Sequence, residues 1–474
     1  MFVNRERELQ VLEERYASGQ AELIILYGRR RVGKTALLRK FCRDKPHIFY
    51  TADLASEGEH LAEFSRLMAQ ATGMEPEVAP IYPSWRAALT ALAALARERM
   101  VVVLDEFTYL TEVAPALPSL LQAIWDNQLQ HTQIMLVLCG SYIGLMERQA
   151  LTYSAPLYGR RTAQMYLQPF TFYQACAFLR NYSAEDRVRA YAVVGGMPAY
   201  LEGWDGTLTV ADNIERLILQ REAPLYDEPR LLLRQELRDP HNYFSILRAL
   251  AAGRTRLGEI AQTARIESMP LVSKYLSTLR DLRLVERRVP VTENAARSRR
   301  GIHRIADNYL RFWFRFVQPL QPLLETGQAA NLLEQRILPQ LGSFVAQAWE
   351  EIGRGFALRP GAYGALPFLP ERYGAWWDRD VEIDVIAVGE GMAWVGECKW
   401  WDNPVGQNVL YDLERKGQAL LRARGGPQCI VGHGLFARSF TEDLKSEAGG
   451  RDDVHLITPE VTALPDDALQ EWLS

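Results

Sequence analysis

The chain has 474 residues, enough for about three domains at roughly 150 residues each. Its 54 Lys and Arg against 58 Asp and Glu leave a net charge of −4, which excludes a uniformly basic nucleic-acid binder but not a basic segment inside an acidic whole. Hydrophobic residues at 48% and charged residues at 24% exclude a disordered chain.

Apolar runs such as Ile134 to Cys139 are too short to cross a bilayer, and the N-terminal Met1 to Glu8 is charged at once, without an apolar signal core. Five scattered cysteines with no CxxC pair exclude a disulfide framework or a Cys-rich zinc site. A soluble protein of the reducing cytoplasm, with no membrane partner, is expected.

From Glu22 to about Pro169, apolar strands (Leu23 to Leu26, His47 to Tyr50, Val101 to Leu104, Ile134 to Cys139) alternate with helical stretches such as Leu61 to Ala71 and Ser84 to Arg99. That alternation predicts a parallel sheet covered on both faces, an α/β fold. The first strand enters Gly28-Arg29-Arg30-Arg31-Val32-Gly33-Lys34-Thr35, and a helix leaves it. Gly28 and Gly33 let the backbone curl so that its N–H groups face phosphate oxygens at a helix N-terminus. Lys34 would reach the terminal phosphates of ATP, and the Thr35 hydroxyl would ligate Mg²⁺. Asp105 ends the third strand, where it can support the metal; Glu106 follows, placed to orient or deprotonate the attacking water. Ser141, after the fourth strand, could sense the γ-phosphate or cap a helix. Arg160 or Arg161 could stabilise transferring charge, or be solvated.

These residues, with Phe2-Val3-Asn4-Arg5-Glu6-x-Glu8-Leu9, Leu157-Tyr158-Gly159-Arg160, Pro169-Phe170 and Gly195-Gly196-Met197-Pro198, resemble the archaeal-type ATPase family, a prokaryotic branch of the AAA+/STAND NTPases. The resemblance covers roughly residues 1 to 235. It implies an AAA+ P-loop core with a helical lid and places Pro198, in the Gly-x-Pro turn, near the nucleotide. It leaves a homo-oligomer open, since no second arginine motif is clear.

Further on, Leu257 to Ala264 and Met269 to Leu282 read as two helices, followed by strand-like Leu284 to Val289, an arginine-rich Asn294 to Arg300, and Gly301 to Ile305. Helix, turn, helix and hairpin is the winged-helix order. Twelve Lys or Arg against five Asp or Glu between Arg254 and Arg304 give this segment a local charge of +7. Lys274, Arg297, Arg299 and Arg300 are the candidate phosphate contacts with double-stranded DNA, although such a module can also serve only as packing. Pro319 to Thr326 reads as a linker.

In the last part, Val381 to Val388 and Met392 to Lys399 are strand-like and joined at Gly389-Glu390-Gly391. A two-residue turn at Glu390-Gly391 pairs Gly389 with Met392 and, counting outward, Asp384 with Glu397, their Cβ atoms about 5 Å apart. Lys399 points to the same side. Opposed carboxylates are an ordinary pattern on a wet sheet face, but both faces of this hairpin are apolar. Buried carboxylates need compensation, and a divalent cation (Mg²⁺ or Mn²⁺) would supply it. Five tryptophans, Trp376, Trp377, Trp394, Trp400 and Trp401, crowd the hairpin and read as packing more readily than as base-stacking platforms.

Asp384 with Glu397-x-Lys399 is similar to the PD-(D/E)XK nuclease core. Asp307-Asn308-Tyr309-Leu310-Arg311-Phe312-Trp313-Phe314 and Gly396-Glu397-Cys398-Lys399-Trp400 resemble the nuclease-like domain often fused to these ATPases. That resemblance implies Asp384 and Glu397 as metal ligands, Lys399 as a catalytic residue, and Glu350 on the preceding helix as a further ligand.

The expected organisation is an AAA+ core (1–170), helical lid (171–237), winged helix-turn-helix (238–318) and mixed α/β restriction-endonuclease-like domain (330–474). The expected function is a Mg²⁺-dependent ATPase coupled to DNA binding and phosphodiester cleavage. The alternative is a nucleotide-driven switch that binds nucleic acid or a protein partner without cleaving.

Overall fold

Glu22–Tyr27 (β1) is buried along its whole length, as a strand covered on both faces must be. With His47–Thr51 (β2), Met100–Asp105 (β3), Ile134–Gly140 (β4) and Ala163–Tyr166 (β5) it forms a parallel sheet in the order β2-β3-β4-β1-β5. The four expected strands are all present, and the intervening helices Glu57–Ala71 and Trp85–Leu95 start at capping serines, Ser56 and Ser84. Leu61, Phe64, Trp85, Leu89 and Leu92 pack with Leu23, Ile25, Val102 and Leu136 in one core. The order has one consequence for chemistry: β4 lies between the strand that feeds the glycine loop and the strand that ends in Asp105.

The computed structural model describes residues 3–74, 81–96, 98–153, 155–237, 239–359, 366, 368–466 and 468–469. Phe2, in the N-terminal motif, lies outside them. The chain divides into two compact units, Met1–Pro169 and Phe170–Ser474. Among the described residues no helix is long and apolar enough to cross a membrane.

The second unit begins with short helices, among them Ala184–Val194 and Pro198–Glu202. Gly196 lies so close to the Phe170 backbone that a Cβ there would meet Phe170 O at 1.7 Å, while Phe170 N–H donates to Gly196 O at 2.7 Å. Gly196→Ala is expected to lower stability by about 3 kcal/mol or more, read as the urea midpoint. Gly203→Ala, whose Cβ would meet nothing closer than 3.5 Å, is the control expected to change little.

His241–Ala251, Leu257–Ala264 and Met269–Asp281 precede Val285–Arg288 (β6) and Ile302–Ile305 (β7), an antiparallel pair. The last two helices and both strands fall where the sequence pattern puts them. His303 on β7 is buried beside Arg280 and Arg287, and burial first, then those cations, bring its pKa down to about 4. The imidazole is therefore neutral in the fold but takes up a proton near pH 6.5 when unfolded. Stability should fall as pH drops from about 6.5 toward 4, by up to about 3 kcal/mol. His303→Gln should flatten that slope in a pH series of urea midpoints.

The linker expected at Pro319 to Thr326 is not there: Gln318–Leu324 is a helix with Pro322 inside it, continuing the helical run that starts at Asn308–Phe312. Pro319 sits in its first turn, where no N–H is needed, and burial of Tyr309, Phe312, Trp313, Phe316, Val317 and Leu324 holds the run together. Pro322 weakened the sequence signal more than it weakens the helix.

The long helix Leu338–Phe356 and the helix Gln407–Arg422 pack on a mixed sheet. Its strands are Arg372–Asp378 (β8), Val381–Gly389 (β9), Met392–Cys398 (β10), Cys429–Phe436 (β11) and Val454–Ile457 (β12), in the order β12-β11-β10-β9-β8. Gly353 lets the first helix lie close to the sheet, since a Cβ there would meet Cys398 Sγ at 2.8 Å and Val385 Cγ2 at 3.1 Å. The second helix supplies Val409, Leu410, Leu413 and Leu420 to a core with Ile386, Val388 and Val395. Glu390 and Gly391 have φ of +53° and +78°, the geometry of a two-residue primed turn, and Met392 pairs with Gly389 as the turn requires. Trp376, Trp394 and Trp400 are buried; Trp401 is exposed.

Candidate functional site

Gly33 has φ of +93°, a left-handed conformation that favours glycine, and caps the helix Lys34–Cys42. Gly28 is held by close approach, since a Cβ there would meet Leu167 O at 2.5 Å. Lys34 is buried and donates from Nζ to Gly28 O (2.9 Å), Arg29 O (3.1 Å) and Ser141 Oγ (2.8 Å). Ser141 Oγ in turn donates to Glu106 Oε1 at 2.7 Å. Thr35 Oγ1 donates to Asp105 Oδ2 at 2.7 Å, and Glu106 N–H to Asp105 Oδ1 at 3.1 Å. The structure thus brings Lys34, Thr35, Asp105, Glu106 and Ser141 into one connected group. Ser141 can join the two ends because β4 separates β1 from β3.

Two features prepare this group for a ligand. Glu106 holds φ of +53°, a strained conformation for a non-glycine residue, and its Oε2 is buried with no hydrogen-bond partner. Lys34 spends its three donors on two loop carbonyls and a hydroxyl, none of them charged.

Arg160 does not join them. Its guanidinium is bound bidentately by Asp126, at 3.1 and 2.9 Å, and by Tyr158 O at 3.2 Å. The ion pair satisfies the charge that was expected to face phosphate. Pro198 opens the helix Pro198–Glu202 of the second unit.

In the mixed sheet the β9–β10 ladder follows the expected register to its last pair, Val385 with Gly396. There the strands part, and Asp384 Oδ2 accepts the Cys398 N–H at 2.9 Å. Burial, then Glu397, then Glu350 push the Asp384 carboxyl well above the usual range. Glu397, 4% exposed, accepts on Oε1 from Lys399 Nζ (2.7 Å) and Lys416 Nζ (2.6 Å), while its Oε2 is buried without a partner.

Glu350 is paired with Arg304 of β7 at 3.2 Å and with Arg354 at 3.6 Å. Its neighbour Glu351 is bound by Arg311 at 2.8 Å and Arg288 at 3.3 Å. Burial pushes Glu351 up, but Arg311, Arg288 and Arg354 outweigh it and hold the carboxyl below its ordinary value. Among the described residues no three His, Cys, Asp or Glu side chains stand together as a ready metal-ligand set. The expected triad of Asp384, Glu397 and Glu350 is thus not assembled, because cations and a backbone N–H already hold each member. The Asp384–Glu397 pair nevertheless fits a Mg²⁺-type ion: Glu397 Oε2 is an orphaned buried acceptor, and such ions need only one or two carboxylates besides water.

Of the candidate nucleic-acid contacts, Lys274 is exposed on Met269–Asp281, and Arg297 and Arg299 are exposed between β6 and β7. Arg300 is not available: it binds Glu293 (2.6 Å), Asp378 (2.8 Å) and Trp377 O (3.0 Å). Sequence reasoning missed Lys416, Arg304 and Arg354. Lys416 had a legible signal, since it shares a helical face with Leu413 and Leu420 and so falls on the buried side of an amphipathic helix.

A family described as "ATPase domain predominantly from Archaea" matches residues 2–203, and one described as "Archaea bacterial proteins of unknown function" matches residues 313–410. An uncharacterized protein of Methanocaldococcus jannaschii is 33% identical over 422 residues, 88% of this chain and 92% of the relative. An uncharacterized ATP-binding protein of the same organism is 60% identical over 45 residues, 10% of this chain and 76% of the relative. Among solved structures, the Walker-type ATPase of Pyrococcus abyssi aligns with a TM-score of 0.47 at 22% identity, over 66% of this chain and 96% of that one. The ORC2 protein of Aeropyrum pernix aligns with a TM-score of 0.46 at 16% identity, over 69% and 95%.

Fold, loop and family match together define a P-loop ATPase with a parallel-sheet core. The chain belongs to the archaeal ATPase family and is similar to the Methanocaldococcus jannaschii relative over most of both chains.

Proposed function

We propose that this ATPase is Mg²⁺-dependent and couples nucleotide turnover to double-stranded DNA binding and to phosphodiester cleavage in its C-terminal part. The single observation that carries the cleavage reading is the buried apposition of Asp384 and Glu397 with Lys399 on the same carboxylate. In the first site Lys34 binds the terminal phosphates, Thr35 and Asp105 hold Mg²⁺, Glu106 orients and deprotonates water, and Ser141 reports the state of the γ-phosphate. Pro198 keeps the role the family resemblance gives it. Residues 171–237 serve as lid, 238–318 as winged helix with Lys274, Arg297 and Arg299 on phosphates, and 330–474 as the nuclease-like domain.

In the second site a divalent cation held by Asp384 and Glu397 supplies Lewis-acid chemistry. Lys399 would neutralise charge developing on the phosphate, and Glu350 would be the further ligand that the family resemblance implies. The switch that binds without cleaving is the second reading. It is favoured by the cations that hold Glu397 and Glu350, namely Lys399, Lys416 and Arg304. Purified protein incubated with plasmid and linear DNA, with Mg²⁺ or Mn²⁺ and with ATP, ADP or neither, separates the two. Cleavage lost in Lys399→Ala supports the nuclease; equal inertness of wild type and Lys399→Ala in every condition leaves the switch.

A further inference from the structure

We infer that Lys416 is a second phosphate-binding residue of the C-terminal site, acting with Lys399 as a two-cation cradle for one phosphodiester; this rests on the reading of that site given above. Glu397 Oε1 accepts from Lys399 Nζ at 2.7 Å. A second ammonium, that of Lys416, stands on the same oxygen at 2.6 Å with its side chain only 14% exposed, although Asp412 already offers it a more solvated partner at 3.3 Å. Both Nζ atoms converge on Oε1 while Oε2 goes without a partner, so the two cations are gathered at one point rather than spread over the carboxylate. Their separation cannot exceed the sum of those two distances. That suits the two non-bridging oxygens of a single phosphate, which present two acceptors on one phosphorus.

The fold places Lys416 there by specific means. Gly417 lets Gln407–Arg422 approach β11, where a Cβ would meet Ile430 Cδ1 at 2.5 Å. Asp412, one turn earlier and 43% exposed, takes Lys416 at 3.3 Å on the solvent side. Lys416 is therefore held by a partly solvated carboxylate and the buried one at once.

The test compares wild type, Lys416→Gln and Lys416→Arg in the full chain. Glutamine can still donate a hydrogen bond to Glu397 but carries no charge; arginine keeps the charge. Binding of a fluorescent DNA duplex is measured across a salt series with Ca²⁺ in place of Mg²⁺, and cleavage with Mg²⁺. Lys416→Gln is expected to melt like wild type, reduce the slope of log affinity against log salt by about 0.9, and raise KM for DNA about tenfold, with Lys416→Arg restoring both. Wild-type slope and KM in Lys416→Gln would overturn the assignment while leaving the nuclease reading intact. A wild type that neither binds nor cleaves DNA overturns both.

Discussion

Glu106→Gln is expected to leave ATP bound but to slow its hydrolysis by about 10²–10³-fold, the share a positioned general base contributes. The side chain stands at the end of β3 in a left-handed conformation, with Oε1 tied to Ser141 and Oε2 buried without a hydrogen-bond partner. Glutamine keeps the shape and the contact with Ser141 but cannot take a proton. Lys34→Ala should act differently. It removes the cation that bridges the loop carbonyls and Ser141, so nucleotide affinity and turnover should fall together, turnover by at least about 10²-fold. Phosphate release and binding of a fluorescent ATP analogue separate the two outcomes. Hydrolysis at the wild-type rate in Glu106→Gln would remove this residue from the mechanism.

In the second site, Asp384→Asn and Lys399→Ala should each reduce DNA cleavage by about 10²–10³-fold while leaving ATP hydrolysis unchanged. Asp384 is the stricter test of the two. Its carboxyl is buried beside Glu397, so asparagine relieves repulsion and should stabilise the fold even as it removes a ligand. A variant that melts higher and no longer cuts has lost chemistry, not structure. Chelation with EDTA should abolish cleavage in the wild type. Persistent cleavage in EDTA would contradict a metal-dependent reaction.

The sequence was most informative where chemistry depends on local spacing. The glycine loop, the four apolar strands and the turn at Glu390-Gly391 each express short-range rules, and Asp105, Glu106 and Ser141 follow because each stands at a strand end. That these three join Lys34 in one hydrogen-bonded group could not be read, since it depends on the strand order that inserts β4. Charges were the least legible. Arg160 and Arg300 are candidate phosphate contacts by sequence, but Arg160 is instead neutralised by Asp126, 34 positions away, and Arg300 by nearby Glu293 and by Asp378, 78 positions away. The family resemblance points to Glu350 as a metal ligand, yet its partner is Arg304, a strand residue 46 positions earlier. Long-range ion pairs leave no periodic trace.

Arg288 on β6 and Arg304 on β7 grip consecutive glutamates, Glu351 and Glu350, of one helix. Consecutive side chains leave a helix about 100° apart, so a single pair would fix only the helix's position, whereas two also fix its rotation about its own axis. Leu338–Phe356 cannot roll without surrendering one of them. The β6–β7 hairpin and the carboxylates near Asp384 are geared together in this way. The direction in which Glu350 points is thereby tied to the position of both strands of the hairpin.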